Sequence, residues 1–164
     1  MIRIALPADV DRIAALHVRA RATYYRDRVP EAAYAGAAER ERTREGWTRA
    51  VARGGVLCAE EDGVLLGIAA HRTDPAGVTT LTQLHVDPRH WRRGTGAALH
   101  AACVERWRAA GVRRVRLEVY APNARARSFY EALGWVPAPG PQPGATHREL
   151  LLDLPAPAPA TAAS

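Results

Sequence analysis

The residues best suited to chemistry are Arg92-Arg93-Gly94-Thr95-Gly96-Ala97. They follow an apolar run, Leu81–Val86, and an Asp87-Pro88 turn, and they open a helical pattern that continues through Leu99. The first turn of a helix leaves backbone N–H groups without internal partners, and the positive end of the helix dipole lies there. Such a site binds phosphate, and glycine lets a ligand approach the backbone with no Cβ in the way. The spacing excludes two common phosphate loops. No Gly-x-x-x-x-Gly-Lys-Ser/Thr occurs, and Leu99 stands where a dinucleotide fingerprint needs its third glycine. The same glycines also suit a tight strand-to-helix connection that holds no ligand.

The elements that must position this loop can be read along the chain. Residues 2–6 form a short strand. Asp9 is a candidate cap for a helix over 9–24, with Val10, Ile13, Leu16, His17 and Ala20 on one face. Pro30 suits the start of a second helix over 31–52, anchored by Tyr34, Ala38 and Trp47 and ended by Gly54-Gly55. Two apolar runs, 56–61 and 64–71, flank Asp62-Gly63, a hairpin signal. Asp74-Pro75-Ala76-Gly77 is a further turn, and 78–86 returns as a strand. Helix 94–110 carries Leu99, Cys103, Trp107 and Ala110 as a stripe, and Gly111 ends it. Strand 112–120 places Val115, Leu117 and Val119 on one face and Arg114, Arg116 and Glu118 on the other. Asn123 caps a helix over 124–133, whose face is Ala126, Phe129, Tyr130 and Leu133. Residues 135–136 and 147–154 form a last strand pair around a Pro/Gly-rich loop at 137–146. The order is β-α-α-β-β-β-α-β-α-β-β, a mixed α/β (α+β) fold. The unit over 78–120 should be a right-handed crossover between parallel strands.

Composition narrows the class. The chain has 164 residues, 48% of them hydrophobic, enough for one well-buried core. One domain over 1–154 is expected, followed by a disordered Pro/Ala tail at 155–164. No apolar run is long enough to span a membrane, and no leader pattern opens the chain, so a cytoplasmic location is expected. Only Cys58 and Cys103 are present, and no metal-ligand spacing occurs. The net charge is +6, and all 23 basic residues are arginine, a pattern that fits a compositional bias of the genome. The arginines are scattered among acidic residues, so a polyanionic small ligand explains the charge and nucleic acid is not the expected partner.

Leu84-His85-Val86-Asp87-Pro88, Arg92-Arg93-Gly94-Thr95-Gly96-Ala97, Asn123 and Ser128-Phe129-Tyr130-Glu131-Ala132-Leu133-Gly134-Trp135 together resemble the GNAT superfamily of acetyl-CoA-dependent N-acetyltransferases. The resemblance is closest over 78–136. Trp91 departs from the family's Gln/Arg at the first motif position, and Thr80 stands where many relatives carry glutamate. The resemblance implies a mostly antiparallel sheet of six to seven strands, flanked by about four helices. A parallel pair, 78–86 and 112–120, would splay at its centre. It implies that N–H groups from Arg92 through Arg93, Gly94, Thr95 and Gly96 to Ala97 hold the pyrophosphate of acetyl-CoA. Leu84, His85 and Val86 would run beside the pantetheine arm, and Asn123 would touch the cofactor as well as cap its helix. No metal is implied.

Acetyl transfer to an amine needs a neutral amine, a stabilised carbonyl oxygen and a protonated leaving thiolate. Direct attack needs no enzyme nucleophile. The resemblance makes Tyr130 the general acid, and a phenol keeps its proton at neutral pH. It makes the Val86 amide the oxyanion donor. For the base, His85 and Glu118 are the candidates, with water as the remaining option. His17, His71, His90, His100 and His147 are read as surface or packing residues. The acceptor, a small-molecule or peptide amine, would lie among Tyr24, Tyr25, Tyr34, Trp47 and the 137–146 loop. Glu39, Glu41, Glu45 and Glu60-Glu61 would attract a polycationic acceptor or form a solvated face. A homodimer is compatible with the resemblance. A non-catalytic acyl-CoA-binding module on the same fold is the alternative reading.

Overall fold

A computed structural model describes residues 1–140 and 146–155. The middle of the 137–146 loop and the tail beyond Pro155 lie outside the described residues. The chain runs β1 (Ile2–Ile4), α1 (Val10–Tyr25), α2 (Ala32–Ala35), α3 (Ala37–Ala52), β2 (Val56–Glu61), β3 (Val64–Thr73), β4 (Thr79–Val86), α4 (Thr95–Ala109), β5 (Arg114–Tyr120), α5 (Ala124–Ala132), β6 (Val136–Pro137) and β7 (His147–Asp153). The strands form one sheet in the order β1-β2-β3-β4-β5-β7-β6. Every neighbouring pair is antiparallel except β4 with β5.

Each face of the sheet carries its own core. On one, Leu99, Cys103 and Trp107 of α4 meet Leu81, Val115 and Leu117 from the strands. On the other, Ile13 and Leu16 of α1 and Trp47 of α3 meet Cys58 and Ile68. The stripe on α4 stops at Trp107, because Ala110 lies past the helix end and is exposed; His100 is buried there instead.

Three local expectations change. The helix expected over 31–52 breaks at Gly36, whose ψ of 161° is extended. A Cβ at that position would sit 2.7 Å from the Ala32 carbonyl oxygen, so the break needs glycine. Ala38 faces solvent, while Thr43 and Val51 join Trp47 in the interior. Asp9 does not cap α1 with its side chain. Its carboxylate accepts from the Leu6 N–H and from both terminal nitrogens of Arg3, because the chain turns before the helix begins. The Asp62-Gly63 turn is as read: both residues have positive φ, 47° and 76°, the hand that joins twisted strands.

β4 and β5 pair only at Thr79–Val115 and Thr80–Arg116. Just beyond, the β3–β4 register steps from Ala70–Gln83 to His71–Leu81, leaving Thr82 unmatched. This bulge, pinned by the Thr82 hydroxyl on the Ala70 carbonyl at 3.0 Å, lies where β4 leaves β5. The splayed parallel pair is therefore present.

Asp87 holds the far end of β4. It is fully buried and accepts from Arg19 of α1 at 2.9 Å and from Arg89 at 2.8 Å. It also accepts the Arg89 backbone N–H, closing the turn over Pro88–His90. The guanidinium of Arg89 is the main reason its carboxyl titrates far below the usual range. Asp87→Ala should lower stability by about 2 kcal/mol, since three donors lose a charged acceptor. Urea unfolding checks this, and an unchanged midpoint would contradict the anchoring role.

Candidate active site

The backbone edge exposed by the splay can be assigned from the hydrogen bonds. The Asp87 N–H donates to the Leu66 carbonyl at 2.8 Å. That bond makes Val86–Gly67 a non-hydrogen-bonded pair, so the N–H and C=O of Val86 point away from β3. The same holds two residues back, at Leu84. Both residues thus face the slot that β5 has left. The Val86 carbonyl accepts the indole N–H of Trp91 at 2.9 Å, while its N–H stays in the slot.

The loop after β4 behaves as a phosphate cradle should. Gly94 has φ +81°, and Arg92 has φ +62°, both in the left-handed region. No side chain caps α4, and the Ala98 N–H is bound to the Gly94 carbonyl. The N–H groups of Arg93, Gly94, Thr95, Gly96 and Ala97 have no acceptor among the described residues. Gly96 has a packing reason as well. A Cβ there would lie 3.3 Å from the Phe129 ring and 3.5 Å from a Val86 methyl.

Two cavities adjoin at this place. The narrower, about 390 Å³, is lined by Leu84, Val86, Arg92, Gly94, Thr95, Gly96 and Ala97 together with residues of α5. The wider, about 540 Å³, lies over β4 and β5 and includes His85, Glu118 and Asn123. Leu84, Val86, Arg125, Ala126 and Tyr130 line both. Arg93 is exposed and lines neither. Asn123 accepts the Ala126 N–H at 3.1 Å, so it caps α5 from the wider cavity's wall.

Tyr130 is buried at the boundary of the two cavities. Burial is the chief cause that pushes its phenol well above the usual range, with Tyr24 adding to it. It remains protonated at any physiological pH. Cys58 and Cys103 are buried too, and burial raises their thiols to about 11 and about 12. Neither supplies a thiolate nucleophile at neutral pH.

His85 is half-buried and stacks on His17, ring centroids 4.5 Å apart. Its Nε2 lies 2.6 Å from the Gln83 side-chain oxygen, which accepts. Burial, then Arg21, lowers its pKa to about 4. His17 is lowered further, to about 2, by burial and then by His85. Its Nδ1 accepts the Trp47 indole N–H at 3.0 Å. Sequence reading placed His17 on the apolar face of its helix but did not connect it to the site. No local signal does so, because its partners Trp47 and His85 are distant in the chain.

Of the expected aromatic residues, Tyr24 and Tyr25 line the wider cavity, with Tyr120 5.1 Å from Tyr25. Tyr34 packs behind Tyr25, and Trp47 is interior. Arg125 was also missed. Its guanidinium carbon lies over the Trp91 ring, 3.1 Å from the centroid, and Arg125 lines both cavities. Among the acidic residues, Glu39 is held by Arg21 and Arg42, and Glu60 by Arg3.

A sequence model of the Acetyltransferase (GNAT) family matches residues 16–135. Mycothiol acetyltransferase of Beutenbergia cavernae is 41% identical over 76 residues, 46% of this chain. The chain spans only 26% of that relative's length. The PaiA N-acetyltransferase of Thermoplasma acidophilum, solved with coenzyme A, superposes with a TM-score of 0.84 at 18% identity, over 94% of this chain and 98% of that one. Ard1 of Thermoplasma volcanium superposes at 0.69 with 20% identity, over 94% and 97%. At these identities the structural likeness establishes the fold.

The buried histidines dictate an acid limb of stability. Their folded pKa values lie below the free value near 6.5, so the unfolded chain binds more protons as pH falls. The stability present above pH 6.5 is lost progressively toward pH 4, where His85 itself titrates. A second loss follows between pH 4 and 2, as Asp9, lowered to about 2 chiefly by Arg3, takes up its proton. Tm measured against pH should fall in both windows, and His85→Gln should flatten the first. A Tm that is level from pH 6.5 to 4 would contradict the burial of these imidazoles.

Proposed function

The chain belongs to the GNAT acetyltransferase family, and from that premise we propose that it is an acyltransferase that moves the acetyl group of acetyl-CoA to a primary amine by direct attack in a ternary complex. The observation that carries the reading is the pair of adjoining cavities, which share Val86 and Tyr130 as a common wall. A donor in the narrower cavity and an acceptor in the wider one would meet there.

The residues present fit the cofactor. Unpartnered N–H groups at the start of α4 suit a pyrophosphate, and the open edge of β4 at Leu84 and Val86 suits the amides of a pantetheine arm. The complex of the PaiA protein with coenzyme A supports the same choice. When bound, acetyl-CoA supplies a thioester carbonyl to be attacked and a thiolate to be expelled.

The chain's own groups then divide the work. The Val86 N–H points into the slot and stabilises negative charge as it grows on the carbonyl oxygen. Tyr130, held protonated by burial, would give its proton to the sulfur as the C–S bond breaks, and the proton that the attacking nitrogen sheds as the amide forms would return to the phenolate. The amine arrives as an ammonium ion, and Glu118, a carboxylate without a partner among the described residues, receives it. Its proton passes to water. His85 is poorly suited to take it, since an imidazole with a pKa of about 4 is a weak base toward an ammonium ion. His85 instead shapes the floor between Gln83 and His17.

Acetyl-CoA should raise Tm, and CoA thiol should appear when an amine acceptor is supplied. Tyr130→Phe should lower kcat about 100-fold while the Kd for acetyl-CoA stays within a factor of two. An unchanged kcat would remove Tyr130 from the reaction. The kcat/KM profile should rise toward the pKa of the acceptor's ammonium group with no inflection near 6.5. An inflection near 6.5 or near 4 that is lost in His85→Gln would return the base role to His85.

A further inference from the structure

At its closed end the wider cavity is floored by a rung of three side chains. Arg72 of β3 is in register with Thr80 of β4, and Thr80 with Arg116 of β5. Residues directly opposite on neighbouring strands project to the same face, and all three line the cavity. Arg116 donates its Nε to the Thr80 hydroxyl at 3.1 Å, and its two terminal nitrogens make no bond among the described residues. Thr80 thus acquires a role as a neutral rest for a guanidinium. A carboxylate at that position would have formed an ion pair and cancelled the charge.

Several arginines around this sheet already hold an acid. Arg3 holds Asp9, Arg19 and Arg89 share Asp87, Arg21 holds Glu39, and Arg114 holds Asp153. Arg72 and Arg116 hold none among the described residues. Two strand spacings put their backbones about 10 Å apart, a gap that two side chains can close on one small anion. The planar fork of guanidinium suits carboxylate and phosphate oxygens, which it binds two at a time. One step along β5 toward the open end, and on the same face, stands Glu118, about 7 Å from Arg116 along the strand. An anion-seeking pair and a cation-seeking carboxylate therefore lie in line, the second nearer the shared wall where transfer would occur.

We propose that the acceptor is an amine that also carries an anionic oxygen group, a carboxylate or a phosphate, several bonds from its nitrogen. Arg72 and Arg116 bind the anion over Thr80, and Glu118 receives the ammonium end. The inference rests on the reading above that the wider cavity takes the acceptor. It disfavours a polycation, for which Arg72, Arg116 and Arg125 would be repulsive and Glu118 the single carboxylate among the described lining residues. Of the glutamates that might have drawn a polycation, Glu39, Glu45 and Glu60 are in ion pairs, and Glu41 and Glu61 are exposed outside the wider cavity.

Binding to protein saturated with CoA separates recognition from turnover. Calorimetry would compare 4-aminobutyrate with 4-aminobutanamide, glucosamine 6-phosphate with glucosamine, and spermidine. The anionic member of at least one pair should bind about tenfold tighter than its neutral partner or more. A preference confined to one pair identifies the anion as carboxylate or phosphate. Arg116→Gln and the more exposed Arg72→Gln should each remove most of that preference and leave the Kd for CoA unchanged. The proposal is overturned if neutral members or spermidine bind as tightly as the anionic ones. It is overturned equally if the preference survives in both variants, or if no anionic amine binds at about 10 mM. CoA release from acetyl-CoA with the same amines tests the transfer reading separately. A binding preference without release would count against transfer and leave the anion site standing.

Discussion

Two rungs of parallel pairing, at Thr79 and Thr80, are all that join β4 to β5. Beyond them a β-strand lies in the middle of a sheet with one edge unpaired. Backbone N–H and C=O groups left this way must find other partners, and their cost in isolation is comparable to a lost hydrogen bond. The chain meets part of that demand itself, with the Trp91 indole on the Val86 carbonyl. The rest faces the slot, where the proposed donor would bring amides of its own. The bulge at Thr82 starts the divergence and the Asp87 anchor to Arg19 and Arg89 ends it, so the slot is held open at both ends by local devices.

Charge then distinguishes the two sides of the slot. The proposed donor side presents backbone N–H groups at the start of α4, which need no side chain and are indifferent to pH. The proposed acceptor side presents side chains: Arg72 and Arg116 without acids, one glutamate, and a floor of histidines kept neutral by burial. Tyr130 belongs to both. Its proton is secured by the same apolar surroundings that make it part of the core, which joins the packing and chemical readings of that residue.

What could be read along the chain was what depends on near neighbours. Gly94 announces a left-handed turn before a helix, Asp62-Gly63 a tight hairpin, and Val115, Leu117 and Val119 a strand face, because each is set by a few consecutive residues. The same holds for Asn123 as a cap and for the order of the elements. What could not be read depends on register between distant strands. Arg72, Thr80 and Arg116 are ordinary in isolation and become a site only when three strands align them. The His17–His85 stack, the Trp47 donor and the Arg125–Trp91 contact have the same origin. The break at Gly36 was missed for a different reason. A glycine in a polar helix is tolerated more often than not, and only the 2.7 Å approach to the Ala32 carbonyl shows why it stops this one.

The account stands on the open edge of β4 and the bare N–H groups of α4 acting together as the donor site. Residue-resolved amide hydrogen exchange with and without saturating acetyl-CoA addresses both at once. Protection should rise at Leu84 and Val86 and at Thr95, Gly96 and Ala97, with little change along β1 and β2 at the far edge of the sheet. Binding that left the Leu84 and Val86 amides exchanging at their free rates would contradict the account, since the slot between β4 and β5 would then not be where the donor lies.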